Sequence, residues 1–134
     1  MDVTRATFFA ILTYDRPGEL ARFAKKMAEE EVYLAGVWGF GIGHGNAEIM
    51  AIPRDPDEFR RAVRTAGWTI REGDCFHLTG EDRAGALAET LDRISQEGIN
   101  LHAVDAIGFG DRYSAYVWCD EPDVEKLRKV LKGW

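Results

Sequence analysis

Asp15-Arg16-Pro17-Gly18-Glu19-Leu20 sets an arginine, a glycine and two carboxylates where an apolar, strand-like run gives way to an amphipathic helical one. Asp82-Arg83-Ala84-Gly85-Ala86-Leu87 repeats the Asp, Arg, Gly and Leu at the same spacing and in the same setting. A strand entering a helix through a glycine-bearing turn leaves unpaired backbone N–H groups, which carry partial positive charge, at the helix start. Such groups suit a carboxylate or phosphate, and Gly18 or Gly85 would let it approach the backbone. Arg16 and Arg83 could clamp a carboxylate in bidentate fashion; surface ion pairs with Asp15 or Glu19 are the alternative. The glycines could equally serve only a tight turn and close helix packing. The two roles separate experimentally. If glycine makes room for a ligand, valine at either position removes binding and spares the fold, because both positions are expected in the first turn of a helix. If glycine serves a positive φ, valine costs stability.

Other chemistry is weaker. His44, His77 and His102 with Cys75 and Cys119 form no close metal-ligand pair, and no metal or cofactor is expected. Gly39-Phe40-Gly41-Ile42-Gly43-His44-Gly45 lies between two strand-like runs and lacks a Gly-Lys-Ser/Thr ending, so it reads as a hairpin rather than a phosphate loop. Ser95 and Ser114 are isolated in sequence, and no nucleophile–base pair has a recognisable spacing. The chain therefore reads as a non-enzyme.

The elements that must position the turns repeat too. Asp82 follows Asp15 by 67 residues, Gly108-Phe109-Gly110 follows Gly39-Phe40-Gly41 by 69, and Pro122 follows Pro56 by 66, as Gly133-Trp134 follows Gly67-Trp68. The drop from 69 to 66 implies a three-residue excess in the first copy's glycine-rich loop. Each copy reads strand, helix, strand, strand, helix: Thr7–Leu12, a helix from about Pro17 to Glu30, Val32–Phe40, Ala47–Ile52 and a helix capped by Asp55. Leu20, Phe23, Ala24, Met27 and Ala28 form the first helix's apolar stripe. Trp68–Glu72 reads as a closing strand, giving repeats over 1–72 and 73–134. The second copy lacks such a strand. An open or partner-covered edge is the preferred reading, and closure by Asp2–Arg5 the alternative.

The chain has 134 residues, a net charge of −6 and 46% hydrophobic residues, which points to a globular protein and away from nucleic acid or an anionic membrane as partner. No apolar run is long enough to span a membrane. The start has no signal-peptide form and the cysteines are two, so free thiols and a cytoplasmic location are expected. Phe8-Phe9 and Tyr116-Val117-Trp118 make both strand faces apolar, so the second face is expected to pack against the other repeat's sheet or another subunit, and a homo-oligomer, first of all a dimer, is favoured.

The two turns, the element order, and Gly98-Ile99-Asn100-Leu101 with its counterpart Glu31-Val32-Tyr33-Leu34 resemble a tandem pair of ACT domains, over roughly residues 7–132. The resemblance implies an α+β fold of two ferredoxin-like βαββαβ repeats, antiparallel sheets backed by helices on one face. It also implies a regulatory protein that binds an amino acid at the interface between units and signals to a partner, such as an enzyme of amino-acid metabolism, or to its own assembly. The ligand positions it implies are Arg16, Pro17, Gly18, Glu19, Leu20, Val32 and Tyr33 in the first copy. In the second they are Arg83, Ala84, Gly85, Leu87, Ile99, Asn100 and Leu101. Ala84 stands where a proline is expected, and Tyr33 where the second copy has Asn100, so the two sites are not equivalent. The alternative function is a ligand-free interaction or dimerisation module.

Overall fold

The computed structural model describes residues 1–133; the Trp134 landmark lies outside them. Six antiparallel strands and four helices follow one another as β1 (Asp2–Tyr14), α1 (Glu19–Glu29), β2 (Leu34–Gly43), β3 (Asn46–Pro53), α2 (Pro56–Val63), β4 (Thr69–Glu81), α3 (Ala86–Gln96), β5 (Leu101–Phe109), β6 (Arg112–Cys119) and α4 (Val124–Lys132). They form two ferredoxin-like βαββαβ repeats, as the sequence leads one to expect.

Two compact units emerge, Thr7–Gly73 and Met1–Ala6 with Asp74–Trp134. The first has strand order β2-β3-β1-β4 and the second β1-β4-β6-β5. β1 and β4 are long, and each supplies a segment to both units. The second unit's edge is therefore not open: Val3 packs against its core, and Arg5 bonds Asp74 and Glu125, each at 2.8 Å. The closing strand read at Trp68–Glu72 and the strand read at Cys75–Thr79 are one strand. Gly73 lies between them. A Cβ there would stand 2.9 Å from the Phe8 ring, so glycine is what lets that ring lie on the strand.

Each unit has its own core. Phe9, Ile11, Phe23, Met27, Ile49, Ala51 and Phe59 fill the first, with Phe9 and Phe59 stacked at 4.3 Å. Phe76, Leu78, Ile94, Ala115, Val117, Leu127 and Leu131 fill the second. Asp55 caps α2 through the N–H groups of Asp57 and Glu58. Phe8, Ala10, Met50, Ile52, Tyr116 and Trp118, on the other strand faces, are also buried. The apolar residues left exposed are elsewhere, among them Leu12, Phe40 and Ile42 in the first unit and Ile107 and Phe109 in the second.

Register corrects the repeat as well. Gly41 pairs with Ala47 and Ala47 with Thr13, while Gly108 pairs with Tyr113 and Tyr113 with Gly80. Gly108 is therefore the counterpart of Gly41, and the first copy's excess is one residue, not three. A bulge between Gly41 and Gly43 absorbs it.

The N-terminal segment is held partly by charge. Arg128, and after it Arg5, hold the Glu125 carboxyl down at about 2. A carboxyl depressed in the folded state contributes stability above its unfolded value and loses it as pH falls through the folded one. This tether should accordingly weaken between about pH 4.5 and 2. Side-chain NMR titration of Glu125 should give a midpoint near the lower value, and Arg128→Ala should raise it more than Arg5→Ala.

Candidate functional site

Both repeated turns close in the same way. Pro17 and the left-handed Gly18 (φ +93°) bring the chain into α1, and Gly85 (φ +87°) brings it into α3. Each glycine is the helix N-cap, so it lies one residue before the helix rather than inside its first turn. It offers no side chain to the N–H groups behind it. A Cβ at either position would meet nothing within 4 Å. Positive φ, and not crowding by the protein, is therefore what requires glycine. The Asp15 N–H donates to the Gly45 carbonyl and the Asp82 N–H to the Asp111 carbonyl, both at 2.9 Å, which ties each turn to the hairpin beside it. The two aspartates also lie against hairpin glycines: a Cβ on Gly41 would stand 2.6 Å from Asp15 Oδ2, and one on Gly108 2.9 Å from Asp82 Oδ2.

Beside each turn is an open groove. The first, of about 200 Å³, runs between the start of α1 and β2, over Gly39, Gly41 and Ala47. The second, of about 220 Å³, runs between the start of α3 and β5, over Ala106, Gly108 and Tyr113. Small residues on the edge strand leave the space open. Both grooves are smaller than sites for drug-sized ligands, about 300–1,000 Å³.

The charges around them differ. In the first, Glu19 is nearly buried, and it accepts hydrogen bonds from Arg16 Nε at 2.5 Å, Thr13 Oγ1 at 3.0 Å and Arg22 Nη1 at 3.3 Å. Arg16 above all holds its carboxyl below the usual range, against the opposing effect of burial. Arg16 also lies 4.8 Å from the Tyr14 ring centre. In the second, Arg83 makes a bidentate pair with Glu89, at 3.2 and 2.6 Å, in the open. That contact lowers the Glu89 pKa and raises that of Arg83.

The structure gathers Arg16, Glu19 and Leu20 at the first groove and Arg83, Gly85 and Leu87 at the second. Leu20, read as a core residue, is half exposed and rests on Gly39. Ala84 is exposed in its turn. The strand-start residues are not brought to either groove. Tyr14 is level with Asn46 on β3 and Leu34 with Pro53, seven residues away or about 23 Å. Val32, Tyr33, Ile99, Asn100 and Leu101 thus stand at the far ends of their own units' sheets. Val32 and Ile99 are core residues, and Leu101 packs on the second core. Tyr33 and Asn100 are exposed, Tyr33 beneath the Arg54 guanidinium.

Sequence spacing missed one polar pair. Ser114 Oγ lies 2.7 Å from His77 Nε2 because β4–β6 register sets them diagonally across the strands. Burial lowers the His77 pKa, favouring the neutral ring, and Tyr116 stacks on it at 4.4 Å. Cys75, on the same strand face, is buried, with its thiol pushed up to about 12 chiefly by that burial. Among the described residues no cluster of three or more His, Cys, Asp or Glu could hold a metal ion, and no helix is long and apolar enough to cross a membrane.

No protein-family model and no curated protein matches the chain. Solved structures do. Protein BT0572 from Bacteroides thetaiotaomicron superposes with a TM-score of 0.86 at 19% identity, over 98% of this chain and 89% of that one. The ligand-free regulatory subunit of aspartate kinase from Thermus thermophilus gives 0.68 at 14% identity, over 99% and 97%. The fold is that of a tandem ACT-domain pair. The regulatory subunit of aspartate kinase from Thermus flavus is similar too, with a TM-score of 0.64 at 15% identity, over 98% of this chain and 96% of that one. At these identities the likeness establishes the ACT fold over nearly the whole chain, and the fold alone.

Proposed function

We propose that this chain is a regulatory module that binds a small amino acid through a strand–turn–helix junction and passes the binding on to a partner. The carrying observation is the second groove: Arg83, a helix start with no side-chain cap and a glycine facing open space converge on it. An amino acid's carboxylate fits those donors. Its ammonium needs acceptors, and Asn100, or a carboxylate such as Asp82, is of the right kind. Asn100 and the turn lie at opposite ends of their unit. In this reading a ligand that touches both a turn and a strand start draws them from different ACT-like units.

The regulatory subunits of aspartate kinase that share this fold support an enzyme of amino-acid metabolism as the partner; a cytoplasmic location and a purely regulatory part without catalysis belong to the same reading. The exposed Phe40, Ile107 and Phe109 support association with a second copy as part of the response. The same residues favour the second reading, a ligand-free interaction module.

Thermal denaturation with each of the twenty amino acids separates the two. One or a few should raise the melting temperature, by an amount that grows with concentration. No rise with any, together with concentration-dependent self-association, would favour the interaction module.

A further inference from the structure

Glu19 and Thr90 are the buried polar or charged side chains among the described residues, and Glu19 sits at the mouth of a groove. A carboxylate removed from water needs charged or hydrogen-bonding partners. Glu19 has three side-chain donors, on Thr13, Arg16 and Arg22, and the two arginines are themselves more than half exposed. This is how a protein would hold a ligand's carboxylate. Here the chain supplies the carboxylate itself.

The second groove lacks that arrangement residue by residue. At the matching positions Gly80 replaces Thr13, Ala86 replaces Glu19 and Glu89 replaces Arg22, while Arg83 keeps the place of Arg16. The Arg83–Glu89 pair is exposed on both sides, at 56% and 62%, a kind of contact worth little in water and readily exchanged. The first groove's lining carries Asp15, Glu19 and Glu48 against Arg16, whereas the second carries Asp82 against Arg83.

We propose that Glu19 is a built-in occupant of a carboxylate site, so that the first groove refuses anionic ligands and the second, with Ala86 in the equivalent place, admits them. The inference rests on the proposed binding role for the second groove, but its first half can be tested with no knowledge of the ligand. Glu19→Ala vacates the cradle of Thr13, Arg16 and Arg22. Acetate, a free carboxylate, should then refill it. On the order of 100 mM sodium acetate should raise the melting temperature of Glu19→Ala by about 3–5 °C over an equal concentration of sodium chloride. The parent and Glu19→Gln should not respond, and adding Arg16→Ala should abolish the response. If Glu19→Ala is insoluble, refolding in acetate against chloride reads the same rescue, with Glu19→Gln showing that position 19 tolerates a neutral side chain of the same shape. Equal behaviour in the two salts overturns the inference. Calorimetry with an amino acid that raises the parent's melting temperature should find one site per chain, lost in Arg83→Ala and kept in Arg16→Ala. Two sites per chain, or loss only in Arg16→Ala, would also overturn it. If no amino acid binds, the proposed function fails, while acetate rescue still decides whether Glu19 fills its own groove.

Discussion

Removal of residues 1–6 is expected to unfold the second unit while leaving the first largely intact. Those residues belong to the second unit, where they take the edge position beside β4. Val3 packs on the core, Arg5 holds Asp74 and Glu125, and the Met1 sulfur lies 3.8 Å from the Thr90 hydroxyl. Ladder hydrogen bonds contribute about 0.5–1.5 kcal/mol each, and the half-buried Val3 side chain about 1 kcal/mol. The loss should thus be about 3–5 kcal/mol, a large share of the stability of a small unit. Amide exchange would show β5, β6 and α4 losing protection while β2 and β3 keep theirs. Uniform, small changes across the chain would show that the segment contributes little.

The second large effect is at Gly85. Valine there must take a left-handed conformation that β-branched residues rarely adopt, at a cost of about 1–3 kcal/mol. The cost comes from the backbone alone, because the space around the added Cβ is empty. Valine consequently cannot separate turn geometry from ligand access. Asparagine can, since it tolerates the left-handed region. Gly85→Asn should keep stability within about 1 kcal/mol of the parent and lose binding at least tenfold. Gly85→Val should lose both. A Gly85→Asn protein that binds like the parent would show that the groove beside Gly85 is not where the ligand sits.

The helices, the alternating strands and the doubled turn were legible because each has a local signature: apolar spacing, a capping Asp55, a glycine at a helix entrance. What was not legible depends on contacts distant in sequence. That Trp68–Glu72 and Cys75–Thr79 run on as one strand depends on Gly73, which leaves room for the Phe8 ring. Gly39-Phe40-Gly41 and Gly108-Phe109-Gly110 look equivalent, yet pairing with β3 and β6 shifts the match by two positions. Leu20 fits the apolar stripe of α1, but at the helix start it overhangs the groove instead of the core. The candidate site was half legible. The turns are at the grooves, whereas Val32 and Ile99 are core residues whose spacing alone gave no sign of it. The burial of Glu19 was hidden as well: helix spacing shows Arg22 three residues on, but the Thr13 hydroxyl meets the carboxylate only once the strand end lies against the first turn of α1.

Backbone amide NMR of the full chain, titrated with the amino acid that most raises its melting temperature, is the most direct test of the binding role. The account predicts saturable shifts concentrated at Gly85, Ala86, Leu87 and Gly108, with Asn100 responding in parallel and the Gly18–Leu20 turn much less affected. Shifts confined to other surfaces, or no saturable shift at the second turn with any of the twenty amino acids, would contradict it.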